Sequence, residues 1–66
     1  MAFYWVWFRE RPDSEALPHG IEADSPDDAA DALYEEFSAP PGYRFILVSV
    51  NDISGKQCQL MRHGLG

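Results

Sequence analysis

The chain has 66 residues, 45% of them hydrophobic and 14% aromatic, which is enough for a single domain, residues 1–66, but not for two independent cores. Eleven acidic residues against five Lys and Arg give a net charge of -6, which excludes direct binding to nucleic acid because phosphate contacts need clustered bases. One cysteine excludes an intramolecular disulfide and fits a reducing compartment.

The first predicted element is a strand at residues 3–9 that is apolar on both faces. Trp5 and Trp7 point to one side, and Tyr4, Val6 and Phe8 point to the other. Two apolar faces indicate a central strand of the sheet.

The same apolar run is too short to span a membrane, and it lacks the charge order of a secretory signal. We therefore expect a cytoplasmic protein with no membrane partner.

A loop with two prolines and a short second strand follow. The strand is predicted at residues 19–23, antiparallel to the first and at the edge of the sheet.

The helix is predicted from its N-terminal signals and its periodicity. Ser25 is an N-cap residue and Pro26 suits the first helical position. The apolar side chains that follow fall on one side of the helix. The consecutive prolines after Ala39 end it.

Two further strands are predicted at residues 43–50 and 56–62, joined by a hairpin loop at residues 51–55. The fold class expected from this order is α+β. The chain would be a single β-β-α-β-β domain with one helix on a four-stranded, mainly antiparallel sheet.

One helix covers only one face of such a sheet, so the other, open face must contact solvent or a partner. We expect Tyr4, Val6, Phe8, Ile46 and Val48 to face the helix. We expect Trp5, Trp7 and Phe45 to line the open face. Either these aromatic rings cover one another beneath the loop that follows the first strand, or they form a homodimer or partner contact.

The charges are unevenly distributed. Nine acidic residues and no Lys or Arg lie between Arg11 and Arg44. Four of these acids are predicted to form a row on the helix surface opposite the apolar side, and Asp24 extends it. The four are Asp27, Asp28, Asp31 and Glu35.

This acidic helix face has three interpretations, one of which is adaptation to high salt, consistent with a single Lys among the five basic residues. The other two are a solvated surface that keeps the protein in solution and a docking surface for a basic partner. Because nucleic-acid-binding grooves are large basic surfaces, the docking interpretation leads to mimicry of nucleic acid.

Residues for catalysis or metal binding are few. Cys58 and His63, five residues apart on a strand, point to opposite faces, which argues against a Cys–His pair. Neither zinc nor calcium spacing is present, and the glycines stand singly. We expect no enzyme activity, no cofactor and no metal.

The joint at residues 20–29, where a short strand turns directly into a capped acidic helix, resembles the small phage-encoded inhibitor proteins. Among these are the anti-CRISPR proteins that block type I surveillance complexes. The resemblance implies that Asp24, Asp27, Asp28, Asp31 and Glu35 contact the Lys and Arg of a Cas subunit that otherwise bind target DNA. It also implies aromatic anchors such as Trp5 or Tyr43.

The predicted function is therefore inhibition by binding a basic nucleic-acid-binding complex, without chemistry. The alternative is a structural or assembly protein that homodimerises through the aromatic residues of the open face, including Trp5 and Trp7.

Overall fold

The computed structural model describes residues 1–37 and 44–62. These residues form three strands and one helix: β1 (Ala2–Arg9), β2 (Leu17–Ala23), α1 (Pro26–Glu36) and β3 (Ile46–Asp52). The strands make one antiparallel sheet in the order β2-β1-β3, and α1 packs against one of its faces. The α+β class is confirmed, but the described residues contain three strands rather than the predicted four.

β1 is the central strand, as its two apolar faces predicted. Tyr4, Val6 and Phe8 are buried and form the sheet side of the core. β2 lies antiparallel beside β1 at one edge, with Ile21 opposite Tyr4. The predicted second strand is confirmed in direction and position, and it begins two residues earlier than expected.

α1 begins as its sequence predicted. The Ser25 side chain caps the helix by accepting a hydrogen bond from the Asp28 backbone N–H at 3.2 Å, and Pro26 occupies the first turn. Ala29, Ala30 and Leu33 are completely buried. Since alanine has a small side chain, the helix backbone can approach the sheet closely while Leu33 fills the centre of the core.

A β-bulge changes which residues of β3 face the helix. Val50 lies opposite Val6, but past the bulge Leu47 lies opposite Phe8, so inward-facing positions switch from even to odd numbers. Phe45 accordingly packs against the core, and Ile46 is exposed.

The predicted inward orientation of Ile46 and the predicted open-face position of Phe45 are therefore wrong. Strict alternation along the strand does not anticipate the extra residue of the bulge.

The predicted fourth strand at residues 56–62 is not formed in the described part of the chain. Only an isolated bridge joins Asn51 to Gln57, and the Cys58 backbone N–H donates to the Val50 carbonyl oxygen at 2.7 Å. Beyond this point the chain leaves the sheet edge and buries Leu60 in the core. Burial of Leu60 replaces continued strand pairing.

A tight turn connects β3 to this C-terminal segment. The Asp52 carboxylate accepts hydrogen bonds from the backbone N–H groups of Ser54 and Lys56 and from the Ser54 hydroxyl. The Ser54 hydroxyl contributes most to holding the pKa of Asp52 below its ordinary value. Gly55 completes the turn with a φ of 92°, which favours glycine.

Candidate functional site

The exposed acids of α1 lie along one stripe on the outside of the helix. Asp28, Asp31 and Glu35 are spaced three and four residues apart, which places them on one face over roughly 10 Å of helix axis. Asp24, which the sequence predicted to extend this row, lies just before the Ser25 cap and is exposed. We refer to Asp24, Asp28, Asp31 and Glu35 as the acidic stripe.

The acidic stripe holds a guanidinium group. One terminal nitrogen of Arg62, Nη2, lies 2.9 Å from Asp28 Oδ1 and 2.9 Å from Asp31 Oδ2. All three side chains remain about half exposed, at 58%, 49% and 44% respectively. Solvent therefore reaches this contact, and the energy of such an exposed pair is modest.

Asp27, although predicted to lie in the same row, has a different environment. It is 8% exposed, and its two carboxylate oxygens accept hydrogen bonds from the backbone N–H groups of Met61 and Arg62, at 3.0 and 2.9 Å. The carboxylate thus supports the C-terminal segment from inside the fold. For this reason we leave Asp27 out of the acidic stripe.

The opposite flank of α1 is tied to β2. Glu36 Oε2 lies 2.9 Å from His19 Nε2, and the His19 ring also packs on Phe37. Glu36 therefore contacts the sheet edge rather than extending the acidic stripe.

The open face, which is the side of the sheet that α1 does not cover, carries Phe3, Trp5 and Trp7 of β1. The Phe3 and Trp5 rings meet edge to face, with centroids 5.1 Å apart. Trp5 nevertheless stays 39% exposed. The rings thus cover one another only in part.

Gly20 of β2 lies opposite Trp5 and makes room for this arrangement. A Cβ atom at Gly20 would come within 2.6 Å of the tip of the Phe3 ring. The absence of a side chain therefore allows Phe3 to lie over the β2 backbone and beside Trp5.

The predicted site residues do not form one surface. α1 packs on the side of the sheet that carries Val6, whereas Trp5 and Trp7 alternate with Val6 along β1 and point the other way. The acidic stripe and the open face are consequently on opposite sides of the molecule. Tyr43, a further predicted anchor, lies outside the described residues.

Cys58 has the environment of a packing residue. It is half-buried against the core, and burial, followed by the charge of Asp52, raises the pKa of its thiol. The thiol is therefore protonated at neutral pH and is a poor nucleophile. His63, considered with it in the sequence, lies outside the described residues.

Two classes of feature are not found in residues 1–37 and 44–62. No cluster of three or more His, Cys, Asp or Glu side chains there could hold a metal ion. The helix in this part of the chain is too short and too polar to cross a membrane.

Comparison with known proteins returned no match among family models, curated proteins or solved structures. The geometry of this chain therefore carries the functional argument.

Sequence reasoning missed one residue of this region, Arg62, and placed another, Asp27, on the exposed row although it is buried. Arg62 was assigned to a strand, yet it joins the acidic stripe from 31 residues away along the chain. Its contact with the helix depends on how the C-terminal segment crosses the fold, for which no local pattern exists. The sequence did contain a signal for the burial of Asp27. It lies three residues before the buried Ala30, which places it only about 60° from Ala30 around the helix.

Proposed function

We propose that the protein is an acidic inhibitor that binds a basic, nucleic-acid-binding protein through the acidic stripe. It acts by occupying the groove that otherwise holds DNA or RNA, and it performs no chemistry. The target class suggested by the resemblance of residues 20–29 is a Cas subunit of a type I surveillance complex, which would make the protein an anti-CRISPR protein.

The observation that carries this proposal is the contact with Arg62. The carboxylates of Asp28 and Asp31 share one guanidinium group at hydrogen-bonding distance while both remain solvent-accessible. Basic grooves contact phosphates through the same guanidinium and ammonium groups. The acidic stripe can therefore bind the Arg and Lys side chains of a partner through ion pairs of the kind that it makes with Arg62.

The distribution of charge supports an electrostatic mode of binding. Four acids of the stripe against Arg62 leave an excess of three negative charges on one side of α1. Such an excess steers a basic partner toward the helix and aligns it there.

The negative charge of Glu35 near the C-terminal end of α1 also supports a role in binding, because it does not stabilise the helix. Glu35 lies near the negative end of the helix dipole, where a carboxylate is unfavourable, and no basic residue occupies that last turn. Asp31 and Glu35, four residues apart, repel each other as well.

The first prediction concerns a variant in which Asp28→Asn, Asp31→Asn and Glu35→Gln are combined. We expect it to bind the partner about tenfold to a hundredfold more weakly, because each lost charge removes an ionic contact in the interface. The measurement is capture from nuclease-treated lysate of bacteria with a type I CRISPR system, with the partner identified by mass spectrometry and its affinity then measured with purified components.

The matched control combines Glu10→Gln, Asp13→Asn and Glu15→Gln in the β1–β2 connection. It changes the net charge by the same amount, and all three residues are exposed. The control should bind like the parent protein. Equal weakening by both variants would show that net charge, and not the position of the acids, determines binding. Undiminished binding by the stripe variant would refute the role of the acidic stripe.

A further inference from the structure

The open face carries a second candidate surface, separate from the acidic stripe. Its central feature is Trp5, a residue that is 39% exposed although the Phe3 ring packs edge to face against its ring. A tryptophan ring held in place by a neighbour and still open to solvent offers a flat, electron-rich surface. Such a surface attracts cations, and guanidinium groups in particular stack on it.

The charge beside Trp5 has the sign that complements such a cation. Glu22 lies opposite Phe3 in the β1–β2 register, on the same side of the sheet as Trp5, and it is exposed. Since Gly20 is the direct neighbour of Trp5, Glu22 is its diagonal neighbour, at about 7–8 Å. The Glu22 carboxylate therefore places a negative charge in the neighbourhood of Trp5, which complements a guanidinium that stacks on the ring.

Arg9 of β1 also points to this face, at the end away from Glu22. Arg9 is four residues from Trp5 along β1, which corresponds to about 13 Å. Its guanidinium donates to the Pro12 carbonyl oxygen at 3.2 Å, which turns it toward the β1–β2 connection. The area around Trp5 and Glu22 consequently keeps its negative character.

We propose that the open face binds an extended, arginine-bearing segment of another protein. One arginine stacks on Trp5 and pairs with Glu22, and the segment runs along the aromatic row of Phe3, Trp5 and Trp7. This surface is additional to the acidic stripe, and a single protein could use the two to contact two partners or two parts of one partner.

The size of the face argues against a second copy of this chain as the occupant. Three strands over seven residues give a face of roughly 300 Å², whereas a stable interface buries about 800 Å² on each partner. Pairing of β2 with its own copy is hindered as well, since Pro18 has no backbone N–H to donate. Two chains of net charge -6 would also repel each other.

The test uses a capped heptapeptide in which arginine alternates with serine, so that the arginines of an extended chain share one side. Titration into the ¹⁵N-labelled protein should shift the indole N–H of Trp5 and the amide of Glu22 saturably. The lysine version should bind about tenfold more weakly, because an ammonium group does not stack as a plane. The citrulline version, which has lost the charge, should not bind.

Two variants separate binding from folding. Trp5→Leu keeps an apolar side chain, and Glu22→Gln changes an exposed carboxylate without altering its size; each should weaken the arginine peptide about tenfold. The combination of Asp28→Asn and Asp31→Asn should leave the peptide-induced shifts of Trp5 and Glu22 and their midpoint unchanged, which separates binding at this surface from binding of the same peptide at the acidic stripe.

Three results would overturn the proposal. The first is equal binding of the lysine and arginine peptides. The second is a set of shifts confined to Asp28, Asp31 and Glu35. The third is a concentration-dependent shift of Trp5 in the protein alone, which would identify a second copy of the chain as the occupant.

Discussion

Leu33→Ala is expected to lower the free energy of unfolding by about 2–5 kcal/mol, the usual cost of removing a fully buried leucine. Leu33 is completely buried, and it belongs to one small core together with Val6 and Val50, which are equally buried. A domain of this length has a total stability of roughly 3–10 kcal/mol. The substitution should therefore unfold a large fraction of the molecules at room temperature.

Urea denaturation followed by circular dichroism measures this effect. Glu35→Ala, two residues away on the exposed side of α1, is the control and should change stability by less than about 0.5 kcal/mol. A loss below about 1 kcal/mol for Leu33→Ala would show that the helix does not pack on the sheet as described.

Asp27→Ala is expected to cost about 2–3 kcal/mol and to release the C-terminal segment. Both oxygens of this buried carboxylate accept backbone hydrogen bonds, from Met61 and Arg62. Hydrogen bonds to a charged group are stronger than neutral ones, and their removal leaves two donors without acceptors. Leu60, next to these donors, should lose part of its burial.

Hydrogen exchange at the amides of Met61 and Arg62 tests this directly, together with the urea midpoint. Asp27→Asn, which keeps one acceptor oxygen, should have an intermediate effect, and Asp24→Ala at an exposed position should have almost none. Unchanged exchange at both amides in Asp27→Ala would contradict the structural role of this carboxylate.

The features that could be predicted from the sequence were those determined locally. The Ser25 cap, the Pro26 position and the apolar periodicity specify α1 within a few residues of chain. β1 was recognisable as the central strand because both of its faces are apolar. In each case the residues that decide the structure are adjacent in sequence.

The errors arose where distant residues decide the structure. The bulge in β3 reflects how Leu47 and Val50 fit against β1, and alternation alone assigns Ile46 to the wrong face. The segment after Lys56 has strand-like alternation, yet burial of Leu60 and the carboxylate of Asp27 draw it away from the sheet.

The candidate site was predicted only in part, for the same reason. Helical geometry was sufficient to align Asp28, Asp31 and Glu35. It could not reveal that the carboxylate of Asp27 turns inward or that Arg62 crosses to the stripe. That Trp5 and the acidic residues lie on opposite sides of the molecule can be recognised only when it is known which face of the sheet the helix covers.

The central claim is that the acidic stripe excludes nucleic acid from a basic groove, and competition for DNA tests it most directly. The captured complex is titrated with labelled target DNA in a mobility-shift experiment, with the parent protein or with the variant that neutralises Asp28, Asp31 and Glu35. The account predicts that the parent protein abolishes DNA binding and that the variant does so only at much higher concentration. Undiminished DNA binding by a complex that is saturated with the parent protein would contradict it.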